Sequence, residues 1–141
     1  FNVAEYALNL ARNFWPGPMT LILNRSQLAK DFITGGQDLV GLRVPSHPTA
    51  LMLMKEFENL GGFGVAAPSA NRFGAVSPTT SNAVVEELDT FLSGKDLLLD
   101  GGASEVGIES TIIDCSGVTP NILRPGIISK ELVCTYTSGK S

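Results

Sequence analysis

Apolar residues recur at helical spacing in four parts of the chain, and each part carries a residue type that commonly begins or ends a helix. The first part opens with a capping-box pair, Asn2 and Glu5, and the second has a proline, Pro48, in the first helical position. The spacing predicts helices over residues 2 to about 14, 48–60, 81–92 with Thr80 or Ser81 as the cap, and a short last helix capped by Ser129. The polar segment 24–36 is expected to connect two strands with one helical turn.

Short apolar segments between the predicted helices are typical of buried strands. They cover residues 19–23, 39–44, 64–67, 96–100, 111–115 and 121–123, and the last two flank a Ser116-Gly117 turn. Strands that alternate with helices and end in such an adjacent pair predict an α/β fold with a twisted mixed sheet flanked by helices. Ligands of such sheets bind where loops leave the strands, so a central cleft is expected near the loops that begin at Arg43, Pro68, Gly101 and Arg124.

The composition fits one folded domain of 141 residues, of which 43% are hydrophobic and 17% charged. A chain of this length buries enough surface to fold without disulfides, so Cys115 and Cys134 need not be paired, and a cytoplasmic location is expected. The net charge of -4 argues against wholesale binding of nucleic acid or of an anionic membrane. No apolar run approaches the roughly 18 residues of a membrane span. A single histidine, His47, and the lack of a CxxC pair predict no metal cluster.

Two arginines stand at the ends of predicted strands, each followed closely by proline. Arg43 lies in Gly41-Leu42-Arg43-Val44-Pro45, where burying a guanidinium is costly unless an anion accompanies it. The anion is either a carboxylate or phosphate of a ligand or a structural Asp or Glu, and burial alone leaves both open. Arg124, in Leu123-Arg124-Pro125-Gly126, repeats the situation. The two arginines together indicate a cleft for anions.

A turn-rich loop from Pro68 to Thr80 supplies further polar groups that suit phosphate oxygens or ribose. It carries Ser69 and Asn71, and Ser77 follows, although ordinary turn chemistry explains these residues equally well. Ser110 enters a predicted strand and could either present its hydroxyl to a small ligand or form an ordinary strand edge. None of these residues decides the function by itself.

Seven short segments carry a more specific pattern when they are taken together. They are Trp15-Pro16-Gly17-Pro18-Met19-Thr20, Gly41–Pro45 with His47-Pro48, Ala67-Pro68-Ser69-Ala70-Asn71, Ser77-Pro78-Thr79, Asp100-Gly101-Gly102, Gly107–Asp114 and Leu123–Gly126. In this order and spacing they resemble the YrdC/TsaC family, over about residues 1 to 128. Members of that family are threonylcarbamoyl-AMP synthases, which are nucleotidyltransferases.

The resemblance implies condensation of L-threonine, bicarbonate and ATP to threonylcarbamoyl-AMP and pyrophosphate, commonly with Mg²⁺. The product serves the formation of threonylcarbamoyladenosine in tRNA, so tRNA or the tRNA threonylcarbamoyl transferase machinery is the expected partner. By position, the resemblance implies a threonine site at Arg43, the Ala67 backbone and Ser110, and an ATP site at Ser69, Asn71, Ser77 and Arg124, with Ser69 and Asn71 also catalytic. N-carboxythreonine attacks the α-phosphorus of ATP, so the protein mainly positions two anions.

The chain also departs from the family pattern. The family's first segment, with a threonine-rich strand and a Lys-x-Arg motif, has no counterpart here, so residues 1–141 are expected to form a YrdC-like domain incomplete at its N-terminus. An inactive fragment of this fold is therefore one alternative. A noncatalytic module for double-stranded RNA or tRNA is another, and its signature is a steep salt dependence of binding. A carbamoyl-handling domain is a third, but such proteins carry acylphosphatase and zinc-finger segments that this sequence lacks.

Overall fold

The computed structural model describes residues 3–104 and 109–137, and its chain divides into two compact units. The first unit combines Phe1–Leu51 with Ile108–Ser141, and the second is Met52–Gly107. The helices are α1 (Glu5–Phe14), α2 (Asp31–Thr34), α3 (Pro48–Asn59), α4 (Ser81–Leu88) and α5 (Lys130–Thr137), and the strands are β1 (Met19–Asn24), β2 (Leu39–Leu42), β3 (Thr111–Asp114) and β4 (Asn121–Arg124).

The four strands form one mixed sheet in the first unit, in the order β2-β1-β3-β4. β1 is antiparallel to β2, with Leu21 opposite Leu42, and parallel to β3, with Met19 opposite Thr111. β4 is antiparallel to β3. The predicted mixed sheet is therefore confirmed. Its topology brings the carboxyl ends of β2 and β4 to the same end of the sheet as the amino ends of β1 and β3.

The hydrophobic core of the first unit lies between the sheet and the helices α1 and α5, which pack against each other. The apolar stripe predicted for the first helix supplies part of it, because its inward-facing residues recur every three or four positions. The Tyr6 hydroxyl also donates a hydrogen bond of 2.7 Å to the Gly117 carbonyl, which ties α1 to the turn between β3 and β4. The buried residues are Tyr6, Ala7, Leu10, Met19, Leu21, Ile113, Cys115, Ile128 and Val133.

The second unit contains the larger part of α3, the loop 68–80 and α4. Thr80 is the N-cap of α4, since its hydroxyl accepts a hydrogen bond of 3.1 Å from the Ala83 amide, which confirms one of the two predicted caps. The strands predicted over 64–67 and 96–100 do not form, and Val65 and Leu97 are exposed. An apolar segment becomes a strand only where a second segment pairs with its amide and carbonyl groups.

Several element boundaries differ from the sequence-based predictions. β2 ends at Leu42 and not at Val44, so Arg43 follows the strand. α1 begins at Glu5, with Ala4 at the N-cap position and no side-chain cap, whereas the predicted cap Asn2 falls outside the described residues. α4 ends at Leu88, four residues earlier than predicted. Within residues 3–104 and 109–137, no helix combines the length and apolar character needed to cross a bilayer.

Candidate functional site

Arg43 lies immediately after β2, at the end of the sheet where β1 begins. The chain before β1 approaches it closely, since the Gly17 amide donates to the Val44 carbonyl at 2.8 Å and the Arg43 Nε donates to the Gly17 carbonyl at 3.2 Å. Arg43 is nevertheless exposed, so the expectation of a guanidinium buried within a strand is wrong. The strand ends at Leu42, one residue before Arg43.

The structure also bears on the two partners considered for Arg43. Among the described residues, the ion pairs of arginine involve Arg25 and Arg124, and none joins Arg43 to a carboxylate. One edge of its guanidinium is held by Gly17, and the remaining N–H groups are available to an anion such as a ligand carboxylate. The assignment of Arg43 to a ligand anion stays a prediction.

Ser110 and Arg124 form a second polar group at the same end of the sheet. The Arg124 Nη2 donates to the carbonyl and to the hydroxyl of Ser110, both at 3.0 Å, and the Nε donates to the same carbonyl at 3.2 Å. The Nη1 pairs with the Glu109 carboxylate at 2.9 Å. Ser110 is buried, whereas the side chains of Arg124 and Glu109 are 41% and 56% exposed. An anionic ligand that binds Arg124 therefore competes with a solvent-screened ion pair.

The loop after β4 is packed tightly against the entry to β3, and this packing fixes the pair. A side chain at Gly126 would clash there, because an added Cβ meets the Thr111 amide nitrogen at 2.5 Å. The Thr111 hydroxyl donates to the Ile128 carbonyl at 2.8 Å and accepts from the Ile128 amide at 3.1 Å. Glycine at position 126 and two buried hydrogen bonds thus hold Arg124 beside Ser110.

The topology places the predicted arginines on the two outer strands of the sheet, at one end. Arg43 follows β2, Arg124 ends β4, and Ser110 precedes β3, so three residues predicted from separate motifs share this end. Three strand spacings separate β2 from β4, which corresponds to about 14 Å at about 4.8 Å per strand. This end of the first unit therefore carries two arginine side chains and the Ser110 hydroxyl.

The other predicted residues belong to the second unit. Ala67, Ser69 and Ser77 are exposed on the segment between α3 and α4, as the loop prediction requires. Asn71 is half-buried, and its Nδ2 donates to the carbonyls of Arg72 at 2.9 Å and Ala75 at 3.1 Å. The amide thereby closes the turn that follows it.

The Asn71 side chain retains one unused polar atom. Its Oδ1 is buried and, among the described residues, has no hydrogen-bond partner. Because both amide hydrogens are engaged by loop carbonyls, this side chain can only accept a further hydrogen bond. A buried acceptor without a donor is costly, so this atom is suited to a donor supplied by a ligand, such as a hydroxyl.

Asp100 also lies in one of the motif segments, and its contacts are internal. Its carboxylate accepts hydrogen bonds from the Gly102 amide at 2.9 Å and the Ser81 hydroxyl at 3.0 Å. These bonds, the backbone one foremost, lower the pKa of Asp100 below its ordinary value. The carboxylate therefore stays ionised and ties residues 100–102 to the first turn of α4. Within the described part of the chain, no group of three or more His, Cys, Asp or Glu side chains could hold a metal ion.

A separate cavity of about 800 Å³ lies at the connection from β1 to β2, which contains α2. Its central cation, Arg25, is engaged by the chain itself, through Asp31 at 2.5 Å and Thr34 at 3.2 Å. These bonds hold the connection between β1 and β2 in place, and none of the predicted site residues lines the cavity. It is lined by Asn24, Arg25, Ser26, Gln27, Ala29, Lys30, Asp31, Phe32 and Asp38.

Sequence reasoning did not single out two residues that the structure connects to the predicted site. Glu109 pairs with Arg124, and its position directly before Ser110 is the signal that could have suggested a partner. Arg72 follows Asn71 and reaches the end of α4, which no sequence spacing indicates. Both contacts join segments distant in sequence.

Comparison with known proteins gives a consistent match. The model of the Sua5/YciO/YrdC family, described as "Telomere recombination", matches residues 1–126. A threonylcarbamoyl-AMP synthase from Pyrococcus abyssi is 43% identical over 129 residues, which are 92% of this chain and 36% of that protein. The synthase from Bacillus subtilis is 41% identical over 92% of this chain and again 36% of its own length. The chain thus spans little more than a third of these relatives.

Solved structures agree with the sequence matches. The crystal structure of Pyrococcus abyssi Sua5 complexed with L-threonine has a TM-score of 0.86 and 38% identity, and the match covers 99% of this chain and 39% of that one. Escherichia coli YciO has a TM-score of 0.71 and 26% identity, over 89% of this chain and 58% of that one. The fold described above is therefore shared with both proteins.

Proposed function

Since the chain belongs to the Sua5/YciO/YrdC family, we propose that it provides substrate-binding residues of a threonylcarbamoyl-AMP synthase. Such an enzyme condenses L-threonine, bicarbonate and ATP to threonylcarbamoyl-AMP and pyrophosphate. The observation that carries the proposal is the likeness, over nearly the whole chain, to a protein solved with L-threonine bound. The basic end of the first unit's sheet supplies the matching chemistry.

In the first unit, threonine binding is assigned to the end of the sheet that carries Arg43 and Ser110. The Arg43 guanidinium, held at one edge by Gly17, offers paired N–H donors to the threonine carboxylate. The Ser110 hydroxyl accepts from Arg124, so its own hydrogen remains available for a threonine oxygen. A cation beside the carboxylate fixes the amino acid so that its amino group, as the carbamate, meets the phosphate.

In the second unit, nucleotide binding is assigned to Ser69, Asn71 and Ser77 on the loop 68–80. The serine hydroxyls donate to phosphate oxygens, and the Asn71 Oδ1 accepts from a hydroxyl of the nucleotide. Arg124 exchanges its exposed ion pair with Glu109 for a phosphate. Ser69 acts in catalysis by holding the phosphates while charge moves, and Asn71 acts by holding the nucleotide through the hydroxyl that donates to its Oδ1.

The reaction needs positioning and charge neutralisation more than a protein nucleophile. A carboxylate oxygen of N-carboxythreonine forms the new bond to the α-phosphorus, and the bond to the β-phosphate oxygen breaks, so pyrophosphate leaves with that electron pair. The described residues contain no group suited to hold a metal by themselves. Mg²⁺ would be held by phosphate oxygens of ATP and by water, and it would neutralise charge on the phosphates. The product is passed to the machinery that modifies tRNA.

Calorimetry and a pyrophosphate assay on the complete gene product test this proposal. ATP is titrated with and without L-threonine, and pyrophosphate release is then followed with each substrate omitted in turn. We expect threonine to tighten ATP binding, and release to require threonine, bicarbonate and Mg²⁺, with chelation of Mg²⁺ abolishing it. ATP binding that threonine leaves unchanged, or release without threonine, contradicts the proposal.

A further inference from the structure

Arg72 connects the loop that carries Ser69 and Asn71 to the end of α4. Its Nε donates to the main-chain carbonyl of Glu87 at 3.1 Å, and its Nη2 donates to the Thr90 hydroxyl at 3.4 Å. Its guanidinium lies over the Phe91 ring, with the Cζ 5.4 Å from the ring centroid. The backbone amide of Arg72 donates to the Glu87 carboxylate at 3.1 Å. Four separate contacts therefore join this residue to residues 87–91.

The end of α4 is a physically suitable anchor for a cation. The last carbonyls of a helix lack partners within the helix, and the helix dipole makes that end partly negative. The Glu87 carbonyl is one of these groups, and Arg72 supplies the missing donor and the matching charge. The Phe91 ring adds a cation–π contact. The arginine thus serves as a side-chain cap for the helix end.

The same residue also orients Asn71. The Arg72 carbonyl accepts one hydrogen of the Asn71 amide, and the Ala75 carbonyl accepts the other. The Ala75 amide in turn donates to the Arg72 carbonyl at 3.0 Å, so the turn closes on Arg72. With both hydrogens engaged, the Asn71 Oδ1 is left as the acceptor. A loop detached from α4 loses the main-chain geometry that sets this orientation.

We propose that Arg72 is a positioning residue, which fixes the nucleotide loop to the end of α4 and thereby orients Asn71 for ATP. In this assignment Arg72 contacts neither the attacking carboxylate oxygen nor the α-phosphorus of ATP, and it acts through Asn71. The inference rests on the proposed function, since it assumes that the loop binds ATP. The structural part of the inference, that Arg72 attaches the loop to the end of α4, can be tested without any ligand.

The experiment compares Arg72→Ala, Arg72→Lys and a matched charge control, Lys95→Ala, in the complete gene product. Lys95 is exposed in the same unit, and its removal changes the net charge equally without touching the loop. We expect the KM for ATP to rise at least about fivefold in Arg72→Ala, with a smaller change in the KM for threonine. Arg72→Lys should recover part of the loss, because lysine keeps the cation over Phe91 but not the arginine fork. Lys95→Ala should have the same KM values for ATP and threonine as the parent protein.

Two further measurements separate positioning from general destabilisation. In an Asn71→Ala background, Arg72→Ala should add little to the KM for ATP, because the two residues act in series. Amide exchange without ligand should become faster at Arg72 and Ala75 in Arg72→Ala, while the core of the first unit stays protected. Additive effects on KM, or a loop whose exchange does not change, overturn the inference.

If the proposed function is wrong, the binding and exchange measurements give a different result. The parent protein then binds no ATP, although exchange at Ala75 still depends on Arg72. That outcome removes the nucleotide role of both residues and leaves Arg72 as a purely structural attachment. A parent that binds ATP, with Arg72→Ala binding it equally well, instead overturns this inference and leaves the proposed function standing.

Discussion

At the scale of single residues, Arg43 shows how exposure changes the expected energetics. Its guanidinium is held by the Gly17 carbonyl but lies in an exposed position after β2. Charge pairs that remain in contact with water contribute much less than buried ones, because solvent screens them. Under the proposed function, Arg43 would therefore contribute about a kilocalorie per mole to threonine binding, together with its orientation.

We predict that Arg43→Ala raises the dissociation constant for L-threonine about five- to tenfold, by loss of a charge-assisted hydrogen bond to the carboxylate. Arg12→Ala, which removes an exposed arginine of α1, is the control and should leave the constant unchanged. Calorimetric titration of threonine in the presence of ATP measures both. Equal threonine affinity in Arg43→Ala and the parent would remove Arg43 from the site.

Cys115 gives a prediction for the pH dependence of stability. Burial in the core, with a smaller contribution from the Asp114 charge, raises the pKa of this thiol from 9.0 to about 12. Below about pH 9 the thiol is protonated in both the folded and unfolded chains, so it has no effect. Above that pH the unfolded chain loses the proton and the folded chain keeps it, so the free energy of unfolding falls as pH rises toward 12.

Urea unfolding at about pH 8 and about pH 10 tests this sign. The parent should lose more stability between the two pH values than Cys115→Ala does. Cys134→Ala, which changes the exposed cysteine, should keep the loss seen in the parent. An identical loss in Cys115→Ala and the parent would mean that this thiol ionises equally in both states.

At the scale of elements, the sheet end depends on how closely the loop after β4 approaches β3. The Arg124–Ser110 pair joins the last residue of β4 to the residue before β3, and Gly126 leaves no room for a side chain between them. A methyl group there must push the main chain of residues 109–111 aside. The position therefore affects both the fold and the predicted ligand contacts.

We predict that Gly126→Ala lowers the free energy of unfolding by roughly 1–3 kcal/mol, through overpacking against the main chain. Gly117→Ala is the matched control, because its added Cβ meets no atom closer than the Thr119 carbonyl at 3.8 Å. Urea unfolding of both variants measures the difference. Similar stabilities would show that residues 109–111 yield at little cost.

At the scale of the whole molecule, the net charge distinguishes the proposed synthase function from that of a nucleic-acid-binding module. The chain carries 10 Lys and Arg against 14 Asp and Glu, for a net charge of -4. Two of its arginines, Arg25 and Arg124, are already paired with carboxylates. Affinity for a phosphate backbone grows with the number of cations that displace its counterions, and in this chain acidic residues outnumber basic ones.

We predict that double-stranded RNA binds at about 0.15 M salt no more tightly than about 10⁻⁴ M, the weak end of nonspecific binding. Fluorescence anisotropy with a labelled duplex at several salt concentrations measures the affinity and its slope. A basic single-domain RNA-binding protein serves as the positive control. Tight binding with a steep salt dependence would favour the noncatalytic RNA-binding alternative.

Features that depend on neighbouring residues were predictable from the amino-acid sequence. Helical periodicity, Pro48 at a helix start, Thr80 as a cap and the strand pair around Ser116-Gly117 are all encoded within a few positions, and each is present in the structure. The ordered motifs also indicated the family, because each one constrains a short backbone segment and its side chains.

Which segments pair and which side chains meet became known only from the folded structure. Residues 64–67 and 96–100 have the composition of strands but form none, because a strand needs a partner that local composition does not specify. Three observations at the candidate site have the same cause: Arg43 is exposed, Arg124 pairs with Ser110 and Glu109, and Arg72 attaches to Glu87. Each depends on residues at least fourteen positions apart or on where a strand ends, and such contacts are set by packing and not by local spacing.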